Sequence, residues 1–104
     1  MASSKDYLNY VLDQLSELDG LSTRRMMGEY LLYYRGVLVG GVYDDRLLLK
    51  PTESALRLVR ERGEEPALDI PYDGAKEMLS ADIDDGAFCA RLIQAIADDL
   101  GGTP

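Results

Sequence analysis

At 104 residues the chain has room for one domain, and 46% apolar residues are enough to fill a single core. A formal charge of −8 disfavours contact with phosphate backbones, and no run of Lys or Arg overrides it, so direct nucleic-acid binding is not expected. One cysteine, Cys89, excludes an intramolecular disulfide or a cysteine-based zinc site, and the absence of histidine removes the commonest general base and transition-metal ligand.

In chain order, Ser3 to Leu18 reads as an amphipathic helix, with Leu8, Val11, Leu12, Leu15 and Leu18 at helical spacing. Ser3 and Asp6 form a weak capping box, and Gly20 is the stop. A meander follows, with strands near Arg24–Met27, Tyr30–Tyr34, Val37–Tyr43 and Arg46–Lys50. The two-residue connections are Gly28-Glu29, Arg35-Gly36 and Asp44-Asp45. Thr52 caps a helix from Glu53 to Glu61, ended by Gly63. Glu64 to Gly74 is loop-like, with a short strand at Ala67–Ile70. Lys76–Ala81 suits strand or helix and is assigned as strand. Asp84 or Asp85 caps a last helix with apolar positions Phe88, Leu92, Ile93, Ile96 and Leu100. Gly101-Gly102 stops it, leaving 101–104 as a frayed tail. The expected fold is α+β: one domain over 1–104, order α-β-β-β-β-α-β-α, an antiparallel sheet with the helices on one face.

Two-residue turns fix a register, because strand side chains alternate with period two. Tyr34 then faces Val37, Leu32 faces Val39, Tyr30 faces Gly41 and Val42 faces Leu47. One face carries Met26, Leu31, Tyr33, Leu38, Val42, Leu47 and Leu49, which would meet the helices. The other carries Arg25, Met27, Tyr30, Leu32, Tyr34, Val37, Val39, Tyr43, Arg46, Leu48 and Lys50. That second face is too apolar for free exposure. The candidate interaction face on it is Arg25, Met27, Tyr30, Tyr34, Gly41, Tyr43, Arg46 and Lys50.

These residues admit bland readings as well. Tyrosines favour strands, so the set reads as sheet packing and self-interface or as a recognition surface. Tyr30 can cover the bare backbone of Gly41. Gly40-Gly41 marks a ligand's close approach, a bulge or a packing site. The Asp82 to Gly86 run resembles the start of a calcium loop but has Ile93 where a bidentate Glu is needed. Lys50 has no visible partner for catalysis, and Cys89 reads as a buried packing thiol. No nucleophile–base pair, cofactor motif or metal set is present, so an enzyme is not expected. No apolar run spans a bilayer and no secretory signal pattern opens the chain, so the expected location is cytoplasmic.

One ordered series of motifs goes further. Arg24-Arg25-Met26-Met27-Gly28-Glu29-Tyr30, Tyr34-Arg35-Gly36, Gly41-Val42-Tyr43-Asp44-Asp45-Arg46-Leu47 and Leu49-Lys50-Pro51 resemble the N-terminal domain of TfoX/Sxy proteins. The resemblance covers nearly the whole chain and implies a short, stand-alone member. It implies an α+β fold of the secretion-chaperone-like group, a homodimer, and a regulatory role linked to bacterial competence. In that role the domain acts through a protein partner such as a transcription regulator. The alternative is a small-molecule-binding sensor that uses the Tyr-rich sheet face.

Overall fold

A computed structural model of the chain describes residues 3–101. Its elements are α1 (Lys5–Gln14), β1 (Leu21–Met26), β2 (Glu29–Tyr34), β3 (Val37–Val42), β4 (Leu47–Leu49), α2 (Glu53–Glu61), β5 (Leu68–Asp69), β6 (Met78–Ala81) and α3 (Gly86–Asp99). All strand pairs are antiparallel, in one six-stranded sheet of order β1-β2-β3-β4-β6-β5. The expected α+β architecture is present, and β5, within the short strand expected at Ala67–Ile70, forms the second edge of the sheet. The tail expected beyond Gly101 lies outside the described residues.

The meander is drawn together by three tight turns of one kind. Their central pairs are Met27-Gly28 (φ +52°, +84°), Arg35-Gly36 (+50°, +83°) and Asp44-Asp45 (+51°, +55°). Positive φ at both positions gives the turn a twist that matches the strands it joins. The first turn lies one residue earlier than predicted, because Glu29 already pairs with Met26. Glu29 is also a fastening point. Its carboxylate accepts from the Ser3 N–H at 2.9 Å, the Ser3 hydroxyl at 2.7 Å and the Asp44 N–H at 3.2 Å. Ser3 is thereby buried outside α1, and Ser4, not Ser3, is the N-cap, accepting from Tyr7 N–H at 3.1 Å.

The predicted register fails midway along β2 and β3. Tyr34 pairs with Val37 and Tyr33 with Leu38, but Leu32 then pairs with Gly40 and Tyr30 with Val42. Val39 is an extra residue in β3, a bulge, and one extra residue reverses the parity of everything beyond it. Tyr30, Leu32, Tyr34, Val37 and Val39 therefore join Val42, Leu47 and Leu49 on the helix-facing side. Leu31, Tyr33 and Leu38, assigned above to the core, lie on the outer face, and Met26 is exposed. Gly40 fits the bulge because a Cβ there would lie 2.3 Å from the Leu48 carbonyl oxygen.

The helices cover that inner face in one cluster. Leu8, Val11 and Leu15 come from α1 and its end, Ala55 and Val59 from α2, and Cys89, Leu92, Ile93 and Ile96 from α3. α2 matches its predicted bounds, with Thr52 as N-cap, and Asp85 caps α3 by accepting from Phe88 N–H at 3.3 Å. Asp99 has a role the sequence did not suggest. It accepts from the Ser54 N–H at 2.9 Å and hydroxyl at 2.7 Å, at the α2 N-terminus, where the helix dipole favours an anion. No helix among the described residues is long and apolar enough to cross a membrane.

Candidate functional site

The eight residues predicted to share one face fall in three places. Tyr30 and Tyr34 turn toward the helices, Tyr34 inside the core and Tyr30 against it. Their side chains are spent on packing. Arg25 and Met27 sit at the β1–β2 end of the sheet, and Gly41, Tyr43, Arg46 and Lys50 gather near the other end.

The β1 end is open. β1 pairs only with β2, so its outer edge presents unpaired backbone groups. Every residue from Ser22 to Met26 is exposed, and Met27 in the following turn is 94% exposed. Arg24 and Arg25 make no ion pair among the described residues. On the outer face the neighbouring Leu31, Tyr33 and Leu38 are only half-buried.

The other end is roofed by the chain itself. Gly41 is covered by an aromatic ring as expected, but the ring belongs to Tyr43: a Cβ on Gly41 would lie 2.8 Å from Tyr43 Cε2. Arg46 then ties down the segment that leaves β5. It donates to Asp69 Oδ2 at 2.6 Å, to the Ile70 carbonyl at 3.2 Å and to the Pro71 carbonyl at 3.4 Å. The first of these bonds holds the Asp69 carboxyl below its ordinary range. So tied, the segment brings Tyr72 to 6.5 Å from the Tyr43 ring, tilted at 59°. Between this segment and β4 lies a cleft of about 450 Å³ bounded by Tyr43, Lys50, Pro51, Tyr72, Lys76 and Met78. Burial pushes the Tyr43 phenol above its ordinary value, so it stays a neutral donor.

A second cavity, about 350 Å³, lies between α2, β6 and α3 and includes Arg62, Phe88 and Cys89. Its groups are engaged in structure. The Arg62 guanidinium lies 3.9 Å from the Phe88 ring centroid and 3.0 Å from Asp85. Burial pushes the Cys89 thiol up to about 12, which keeps it protonated and unreactive at neutral pH. The Asp82–Asp85 run is likewise committed. Asp82 accepts from the Asp84 N–H at 3.0 Å, Asp84 accepts from the Tyr10 hydroxyl, and Asp85 caps α3. No three His, Cys, Asp or Glu among the described residues are grouped to hold a metal ion.

Sequence reasoning missed Tyr72, Lys76 and Met78 as neighbours of Tyr43 and Lys50. The one available signal was long-range: Arg46 on the outer face and Asp69 at the next strand are opposite charges 23 residues apart. With the geometry in place, two similarities stand out. Residues 13–91 match the family model described as the TfoX N-terminal domain. The chain is also 40% identical, over 82 residues, to an uncharacterized 12.7 kDa protein in the trpE 5′ region of Spirochaeta aurantia; the match covers 79% of this chain and 68% of that protein.

Proposed function

Because the chain belongs to the TfoX N-terminal domain family, we propose that it is a small regulatory module acting through protein contact, the role implied by its resemblance to bacterial competence regulators. The observation that supports this reading is the open β1 edge, a six-residue strand paired on one side only and exposed from Ser22 to Met26. Such an edge is a template for strand addition. Its first occupant is a second copy of the chain. A two-fold axis at Thr23 sets Thr23 opposite Thr23, Ser22 opposite Arg24 and Leu21 opposite Arg25, so that opposed residues share a face. No arginine then faces an arginine, and the two sheets become one. A transcription-regulating protein is the partner class the resemblance implies for the assembled dimer.

The test uses charge across that axis. Ser22→Glu places a carboxylate opposite Arg24 of the other copy, twice per dimer, and Ser22→Arg places like charges there. Cross-strand charge pairs contribute roughly 0.2–1 kcal/mol each. Sedimentation over a concentration series is expected to show the wild type as a dimer, Ser22→Glu several-fold tighter and Ser22→Arg several-fold weaker. A wild type that stays monomeric at every concentration, or dimerisation indifferent to both substitutions, would mean that Arg24 and Arg25 serve only as guards against edge pairing.

A further inference from the structure

We propose that the cleft between Tyr43 and Tyr72 is a binding site for a small aromatic carboxylate, held between the tyrosine rings and apolar wall with its charge on Lys50 and Lys76. This inference does not depend on the strand-edge reading. The volume, about 450 Å³, is within the roughly 300–1,000 Å³ range of small-molecule sites. The walls supply the body of such a ligand with matching surface: two aromatic rings set at an angle, Pro51, and the Met78 thioether, which adapts to flat apolar groups.

Charge selects the ligand's polar end. Lys50 is half-buried at the cleft and has no ion-pair partner among the described residues. Lys76, on the facing segment, has none either. The lining carries one carboxylate, Glu77, against these two ammonium groups, so it is locally cationic on a chain whose net charge is −8. Arg46 lies behind the wall and is fully engaged with Asp69, Ile70 and Pro71. Arg46 is thus satisfied, and the two cations that line the cleft, Lys50 and Lys76, have no ion-pair partner among the described residues. An anion with a flat apolar body satisfies both features together; a neutral body leaves the lysines unpaired, and a cation opposes them.

The experiment is a titration of the full-length protein, labelled for two-dimensional NMR, with phenylacetate as probe and with neutral phenylacetamide and cationic phenethylamine for comparison. The expected result is saturable shifting by phenylacetate, concentrated in the amides of Tyr72 to Met78 and of Tyr43. Phenylacetamide should bind about tenfold more weakly, since a hydrogen bond to a charged group is lost. Lys50→Met should weaken phenylacetate about tenfold while leaving phenylacetamide unchanged. Lys76→Met, at an exposed position where folding is not at stake, should weaken phenylacetate several-fold. The inference is overturned if phenylacetate fails to saturate by about 10 mM, if acid and amide bind alike, if the shifts scatter over the surface, or if both lysine variants bind phenylacetate as the wild type does.

Discussion

The β1 edge of the sheet and its β4 interior are finished in opposite ways. At β4 the strand is covered on both sides: Leu47 and Leu49 by the helices, Leu48 under the outer face, with all three essentially without exposure. At the β1 end no residue of the strand is buried, and one edge carries no neighbour. The difference teaches where this chain spends its apolar surface. The Tyr43 ring and the tied-down segment after β5 close the outer face locally, while β1 is left with one open edge. Stability resides in the covered β4 region, and the proposed pairing would use the β1 edge, so substitutions in the two regions should separate the two properties.

The largest expected effect tests the covered region. Leu48→Ala, at a site with no exposure, should lower unfolding free energy by about 2–5 kcal/mol in urea titration, whereas Met26→Ala should stay within about 0.5 kcal/mol. Equal losses would dissolve the distinction. Next comes Gly40→Ala. The nearest obstacle to its Cβ is a backbone carbonyl oxygen at 2.3 Å, which cannot swing aside, and the cost should be about 1–3 kcal/mol or more. A neutral Gly40→Ala would show that the bulge is soft.

A smaller effect reports on the ties. The Asp69 and Asp99 carboxyls are both held below their ordinary value of 3.8, Asp69 chiefly by Arg46 and Asp99 chiefly by Ser54. The folded state therefore binds fewer protons there than the unfolded state. Their stabilisation is complete above that value and is lost as pH falls through 3.8 and below. Arg46→Met should flatten the Asp69 share of this acid limb and broaden the NMR signals of residues 70–77, with no effect on dimerisation. An acid limb unchanged in Arg46→Met would mean that the segment is held some other way. The smallest effects are the Ser22 pair described above, which should shift association by several-fold and leave unfolding untouched.

How far the fold could be read from the chain depends on how local each signal was. α2 was fully legible, because Thr52 and Gly63 bracket one amphipathic run and every cue lies within it. The Arg35-Gly36 and Asp44-Asp45 turns were legible for the same reason. The sheet faces were only half legible. Counting outward from the Asp44-Asp45 turn gave Val42, Leu47 and Leu49 correctly, but counting from Arg35-Gly36 ran into the extra residue at Val39. Gly40-Gly41 was the available warning, since paired glycines inside a strand often mark a bulge. The cleft was not legible at all: it depends on a segment brought back by Arg46 across 23 positions, and no neighbouring residue announces that return.

The contact between Asp99 and Ser54 bears on the order in which the chain acquires structure. A nine-residue helix is marginal by itself in water, since short helices hardly offset the cost of nucleation. α2 carries its own cap at Thr52, but the carboxylate that also binds its first turn arrives 45 residues later. As the chain emerges during synthesis, α2 exists for a time with its N–H groups only partly satisfied and its apolar face without α3. Its final anchoring waits for Asp99, so the helix that is read most easily from its own residues still depends on the far end of the chain.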